Sequence, residues 1–135
     1  MYLLDTNTLL EFLLDQKSAD DVEHLLRDAA PGTLYLSEFS LYSIGIVLIR
    51  RKMHEVFLRA VNDLLVEGGV RLVRLGARTM PDISEASRKY GLDFDDAYQY
   101  VAAEKRDLTI VSFDADFDRT ERGRKTPAQV VRVRE

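Results

Sequence analysis

The segment YLLDTNTLLEFLL, residues 2–14, sets a pattern that the rest of the chain repeats. Residues 2–4 form a short apolar run that predicts a buried β-strand, and this run ends at Asp5. Thr6 or Asn7 can cap a helix, which we expect to continue to about Leu14. A strand that leads through a carboxylate directly into a helix is typical of the βα units of parallel α/β folds.

Strand-like and helix-like segments alternate along the remainder of the chain. Further β-like runs lie at residues 33–37, 70–75, 109–112 and 130–133, and helical patterns lie at 18–29, 39–51, 56–66, 81–90 and 93–105. Alternation of this kind indicates parallel strands with helices on both faces of the sheet. We therefore predict an α/β fold, a three-layer α/β/α sandwich with a central parallel sheet of about five strands, in a single domain over residues 1–135.

The composition narrows the class of protein. The chain is 46% hydrophobic, enough for a core, and it has no cysteine, which excludes disulfides and thiolate metal sites. Its first residues lack a basic segment, and the apolar stretch there is too short and too polar to cross a bilayer. We expect a cytoplasmic protein without a signal peptide or membrane span. A net charge of −4 argues against a nucleic-acid coat protein but not against an enzyme that binds metal.

Acidic residues follow the predicted strands, where open α/β sheets place their ligand sites. Asp5 follows the first strand, and Asp114 and Asp116 follow the strand at 109–112. Asp96 lies at the start of the helix that leads into that same strand. These carboxylates converge if the first and fourth strands are neighbours.

Each acid also has an ordinary structural interpretation. Asp93 is in position to cap a helix, whereas the local sequence does not decide for Asp95 and Asp96, and Asp114 and Asp116 can form a turn. Asp5, wedged between a strand and an apolar helix, is the hardest to explain as a loop residue.

Clustered carboxylates favour metal chemistry over covalent catalysis. Close carboxylates repel one another, and Mg²⁺ or Mn²⁺, which prefer oxygen ligands, relieve that repulsion. Such an ion can activate water to cleave a phosphodiester bond. The chain offers no cysteine nucleophile and no serine beside a histidine, and its two histidines, His24 and His54, are far apart.

Three segments resemble the PIN-domain family, which includes the toxin ribonucleases of VapBC-type toxin–antitoxin pairs. They are LDTNTLL at 4–10, DDA at 95–97 and VSFDADF at 111–117, in which Ser112 takes the place of the family's threonine. The resemblance covers nearly the whole chain in order and spacing.

This resemblance implies an α/β/α sandwich and cleavage of RNA with Mg²⁺ or Mn²⁺ as the cofactor. It assigns catalytic metal ligation to Asp5, Asp96 and Asp114, with Asp116 as a supporting ligand. Side chains that would orient these carboxylates are Thr6, Asn7, Ser43 and Ser112. Family toxins often form homodimers and are wrapped by an antitoxin peptide. The apolar helices at 39–49 and 56–66 indicate a homodimer here, because they carry more hydrophobic surface than one thin sandwich hides.

One position departs from the family pattern. The second family acid lies about two turns into the helix after the second strand, and that place falls on Ser43. Either Glu38, at the start of that helix, takes the role from a different angle, or the site has one ligand fewer.

A basic segment follows Asp116 and has two interpretations. Its residues can contact RNA phosphates beside the metal, or they can form a solvated loop. The residues concerned are Arg119, Arg122, Arg124 and Lys125.

Three functions are compatible with the sequence. The first is a toxin-like ribonuclease, and the second is a degenerate PIN domain that binds RNA or a protein partner without cleavage. The third is a phospho-acceptor signalling domain, which usually needs an acidic pair at the end of the first strand and a lysine after the last. Asp5 has no adjacent acid, and the predicted last strand is followed only by Arg134-Glu135.

Overall fold

A parallel four-stranded sheet forms the centre of the computed structural model, which describes residues 1–134. The strands are β1 (Tyr2–Leu4), β2 (Leu34–Ser37), β3 (Arg71–Val73) and β4 (Thr109–Val111). Their order in the sheet is β3-β2-β1-β4, so that Leu3 pairs with Tyr35 on one side and with Ile110 on the other. The first and fourth strands are therefore neighbours, as convergence of the acids requires.

Helices connect and cover these strands. They are α1 (Thr6–Leu13), α2 (Ala19–Asp28), α3 (Glu38–Arg50), α4 (His54–Val61), α5 (Met80–Tyr90), α6 (Phe94–Arg106) and α7 (Pro127–Arg134). A π-helical turn, Asn62–Val66, continues α4, and 3₁₀ turns lie at Ala77–Thr79 and Ala115–Arg119. Among residues 1–134 we find no helix with the length and apolar character needed to cross a membrane.

Alternate strand residues face two separate hydrophobic cores. Leu3 and Ile110 pack with the buried residues of α5 and α6 on one face of the sheet. Leu4 and Val111 pack with α1, α2, α3 and α7 on the other. This alternation follows from the two-residue period of a strand. The predicted α/β/α sandwich is confirmed.

Two glycines set helix boundaries and helix contacts. Gly91 ends α5 in the left-handed conformation, with φ 65°, which glycine adopts without a steric penalty. Gly45 lies buried in α3 against Phe57, whose ring would be 3.0 Å from a Cβ added there. The missing side chain therefore lets α3 and α4 approach closely.

The predicted last strand at residues 130–133 is wrong, because these residues belong to α7, and the sheet has four strands rather than about five. Thr126 and Gln129 form a reciprocal capping box: Thr126 N donates to Gln129 Oε1 (2.8 Å), and Gln129 N donates to Thr126 Oγ1 (3.3 Å). Pro127 occupies the first helical position, where its missing N–H costs nothing. Val130 is fully buried and joins the core beside Leu4.

Candidate metal centre

Asp5 ends β1 and caps α1 in the middle of the sheet. Its Oδ1 accepts a hydrogen bond from Thr6 N at 2.9 Å, so Asp5 is the N-cap of α1. The sequence pattern had predicted Thr6 or Asn7 at this position. Its own backbone N donates to Val111 O of β4 at 2.9 Å. Asp5 is only 6% exposed. The carboxylate is therefore tied to two strands and a helix at once.

Both oxygens of the Asp5 carboxylate accept hydrogen bonds from side chains. Gln99 Nε2 donates to Oδ1 at 3.1 Å, and Ser112 Oγ donates to Oδ2 at 2.7 Å. Burial raises the pKa of Asp5, and these two bonds together with the Thr6 N–H oppose that rise. The nearby charge of Asp114 raises the pKa further. Asp5 is thus a buried acid whose orientation is fixed by its donors.

Three further carboxylates form a compact acidic cluster, defined here as Asp96, Asp114 and Asp116. One oxygen from each lies within 4.8 Å of the others. Asp96 comes from the first turn of α6 and is 8% exposed, whereas Asp114 and Asp116 follow β4 and are progressively more open to solvent. Asp5 lies outside this group of three.

Crowding and burial perturb Asp96 most strongly. The pKa of Asp96 is raised to about 8, most by burial and in addition by the charges of Asp95, Asp114 and Asp5. A set of oxygen ligands that repel one another matches the donor chemistry of Mg²⁺ and Mn²⁺. The residues present therefore fit a hard divalent cation.

Ser112 links Asp5 to the loop that carries Asp114 and Asp116. Its Oγ donates to Asp5 and accepts from Asp114 N at 2.9 Å. Asp114 Oδ1 in turn accepts from Asp116 N at 2.8 Å. Asn7 Oδ1 accepts longer bonds, each 3.4 Å, from Ser112 Oγ and Phe113 N. Among residues predicted to orient the acids, Ser112 and Asn7 thus contact this loop.

Helix α3 supplies no acid to the cluster. Ser43 is half-buried, and within residues 1–134 its side chain makes no hydrogen bond. Glu38 forms an ion pair with Arg74, with 3.7 Å between Oε2 and Nε, and is not part of the three-acid group. The structure thus places neither residue among the clustered carboxylates.

Ser40, also on α3, does reach the centre, and the sequence patterns missed it. Its buried Oγ accepts from Thr6 Oγ1 at 2.8 Å and from Gln99 Nε2 at 2.6 Å. Ser37, which caps α3, has its Oγ 3.2 Å from the same oxygen, within hydrogen-bond distance of the Ser40 hydroxyl. The side chain of Thr6 is therefore directed at Ser40 rather than at an acid.

Gln99 was missed as well. It is 1% exposed and lies in the buried run of α6 that extends from Asp96 to Ala103. An amide inside such a run is a visible sequence signal, since buried amides need hydrogen-bond partners.

The basic segment folds back on the protein. Arg119 contacts Asp116 at 3.2 Å and two backbone carbonyls. Arg122 pairs with Asp107, and Arg124 pairs with Asp118 and also donates to Ser112 O. Lys125 pairs with β4 through its backbone, with Lys125 N donating to Ile110 O at 2.8 Å. Of the three arginines, Arg119 is the one paired with the acidic cluster.

Comparisons with known proteins agree with this geometry. The family model of the PIN domain matches residues 2–123. No curated protein matches the sequence.

Several solved structures share the fold. A toxin–antitoxin complex from Klebsiella pneumoniae has a TM-score of 0.74 at 16% identity, covering 94% of this chain and 98% of that one. The sarcin–ricin loop cleaving toxin VapC20 of Mycobacterium tuberculosis also has a TM-score of 0.74, at 19% identity, covering 87% and 93%. FitAcB from Neisseria gonorrhoeae reaches 0.70 at 19% identity, covering 94% and 98%. Likeness at these identities shows a shared fold.

Proposed function

This chain belongs to the PIN-domain family, and we propose that it is a metal-dependent endoribonuclease that hydrolyses RNA phosphodiester bonds with water as the nucleophile. The observation that carries the proposal is the acidic cluster, whose three carboxylate oxygens lie within 4.8 Å of one another beside buried Asp5. Carboxylates gathered this closely destabilise a fold unless a cation or protons neutralise them.

Each residue of the centre has a distinct task in this proposal. Asp96, Asp114 and Asp116 would hold Mg²⁺ or Mn²⁺, and Asp5 would be the fourth metal-binding acid. When bound, the ion supplies charge stabilisation at the phosphate and lowers the pKa of a water. Ser112 orients Asp5 and the Asp114 backbone together, because it bonds to both. Arg119, paired with Asp116 at the open side, is in position to exchange that partner for an RNA phosphate.

An RNA-cleavage assay tests the proposal. We would incubate purified protein with labelled single-stranded and hairpin RNAs in Mn²⁺, Mg²⁺ or EDTA. We expect cleavage with metal and none with EDTA. Asp96→Asn and Asp114→Asn should each lower the cleavage rate at least about a hundredfold. Substituting residues that only orient metal ligands already lowers activity or metal affinity about 10- to 100-fold. Asp20→Asn, an exposed acid of α2, is the control. Cleavage that survives in both cluster variants would refute the proposal.

A degenerate PIN domain that binds without cleaving is the second candidate, and Ser43 favours it. That serine occupies the place of a family acid and makes no side-chain hydrogen bond in the described chain. RNA retardation in a gel, with intact RNA recovered in Mn²⁺, would support this candidate and exclude the first.

We further propose that the protein is a toxin held by an antitoxin in the cytoplasm. The Klebsiella pneumoniae structure is a toxin–antitoxin complex, and the protein from Mycobacterium tuberculosis is a toxin. An open groove of about 430 Å³ between α1, α2 and α4 supports this extension. Its apolar lining is Phe12, Leu13, Leu26, Val56, Ala60 and Leu64, and both charge signs border it at Glu23, Arg27, Arg59 and Asp63. Such a groove suits an amphipathic helix.

A homodimer is proposed from an exposed stripe on α3. Tyr42, Ile46 and Ile49 recur at helical spacing and are 61%, 53% and 46% exposed. These residues lie on the side of α3 opposite its buried face, which includes Ile44 and Leu48. An apolar stripe of this kind is typical of a surface that a second protein covers.

A further inference from the structure

The side-chain amide of Gln99 lies between Asp5 and Ser40 of α3. Its Nε2 donates one hydrogen to Asp5 Oδ1 at 3.1 Å and the other to Ser40 Oγ at 2.6 Å. Its Oε1 is buried and accepts no hydrogen bond within residues 1–134. The side chain therefore uses all its donors and leaves its acceptor unpaired.

The Asp5 carboxylate determines this orientation of the amide. A reversed amide would direct Oε1 at Asp5 Oδ1, and the two oxygens would repel each other. The present orientation satisfies Asp5 and leaves a buried carbonyl unpaired, which destabilises a fold. Leucine has a similar volume and would bury no unpaired oxygen among the apolar residues of α6. Stability of the fold alone therefore does not account for glutamine at this position.

We propose that Gln99 is a positioning residue that holds the Asp5 carboxylate in the orientation needed at the metal centre. This inference rests on the proposed metal-dependent function. The second arm of the amide strengthens it, because Ser40 is itself fixed by Thr6 Oγ1 and Ser37 Oγ. Helix α3, which offers no acid at Ser43, acts on the centre through this chain of hydrogen bonds.

Thermal unfolding at increasing Mn²⁺ concentration tests the inference, with the protein alone and no RNA. Gln99→Leu keeps the volume and removes both donors, whereas Gln99→Glu keeps the shape and turns an oxygen towards Asp5. We expect Gln99→Leu to unfold in EDTA at the wild-type temperature or above. The Mn²⁺ requirement, defined here as the Mn²⁺ concentration that raises the unfolding temperature by a set amount above its value in EDTA, should be about tenfold higher or more in Gln99→Leu, and higher still in Gln99→Glu.

Thr120→Val is the matched control, because it also removes a buried side-chain donor, here to Phe117 O, while the Thr120 side chain bonds to none of the four acids. It should lower the unfolding temperature and leave the Mn²⁺ requirement unchanged. A Gln99→Leu protein with the wild-type Mn²⁺ requirement overturns the inference. If Gln99→Leu does not fold, the Mn²⁺ requirement is measured in Gln99→Glu and Ser40→Ala instead. A wild-type Mn²⁺ requirement in both of these variants overturns the inference.

The wild type itself separates this inference from the proposed function. A wild-type protein that Mn²⁺ does not stabilise overturns the metal centre and the role of Gln99 together. A wild type that responds, beside a Gln99→Leu variant that responds equally, overturns the role of Gln99 alone.

Discussion

Substitution of Asp96 by asparagine should stabilise the metal-free protein at neutral and alkaline pH. Asp96 has a folded-state pKa of about 8, against an ordinary value of 3.8. Because the folded state holds this proton more tightly than the unfolded chain, the resulting stability is fully present below about pH 4. It is lost progressively as the pH rises towards 8. Asparagine cannot ionise and avoids that loss.

The size of the effect follows from the shift. About four pH units correspond to an upper bound of about 6 kcal/mol, at about 1.4 kcal/mol per unit. Solvent near the open side of the cluster and proton sharing with Asp114 reduce it, and we take about half, about 3 kcal/mol at pH 8. In a domain of this size that corresponds to an unfolding temperature about 10 °C higher.

Circular dichroism melts in EDTA, from pH 4 to pH 8, measure this difference directly. The melting temperatures of wild type and Asp96→Asn should coincide near pH 4 and diverge with rising pH. The surface variant Asp20→Asn should follow the wild type throughout, since exposed substitutions change stability by about 0.5 kcal/mol or less. A constant difference between wild type and Asp96→Asn across this range would refute the argument that carboxylate crowding destabilises the apo fold.

Three other perturbations are expected to separate the roles of the centre, the surface and α7. Ser112→Ala removes the donor to Asp5 Oδ2 and should lower the initial rate of RNA cleavage about 10- to 100-fold, with Thr120→Val as the control. Ile46→Glu places a charge in the exposed stripe of α3, and sedimentation velocity should show a monomer where the wild type is a dimer. Gln129→Ala breaks one half of the α7 capping box and should cost about 1 kcal/mol in urea unfolding, without changing the Mn²⁺ requirement.

The sequence was most informative where local pattern and topology agree. The apolar run before Asp5 and the run before Asp114 are both buried strands, and their parallel pairing brings their carboxyl ends to one edge of the sheet. Local alternation was misleading at Val130-Val131-Arg132-Val133, where the capping signal of Thr126 and Gln129 selects a helix.

Sequence patterns did not predict the side-chain contacts between segments that are distant in the chain. Gln99 and Ser40 are 59 residues apart, and their hydrogen bond depends on how α6 and α3 pack over the sheet. The same holds for Glu38, whose partner, Arg74, lies just beyond β3. The spacing of residues along one helix does not reveal which opposing side chain completes such a pair.

The order of the strands also determines when the acidic centre comes into existence. β1 leaves the ribosome first, yet in the sheet it lies between β2 and β4, and β4 is made some hundred residues later. Asp5 is therefore present without Asp96, Asp114 and Asp116 until most of the described chain has been translated, and the group of four acids is incomplete until then. Contacts so far apart in sequence form late in folding. Under the proposed ribonuclease function, the nascent chain would lack its complete acidic cluster, and therefore its activity, for most of its synthesis.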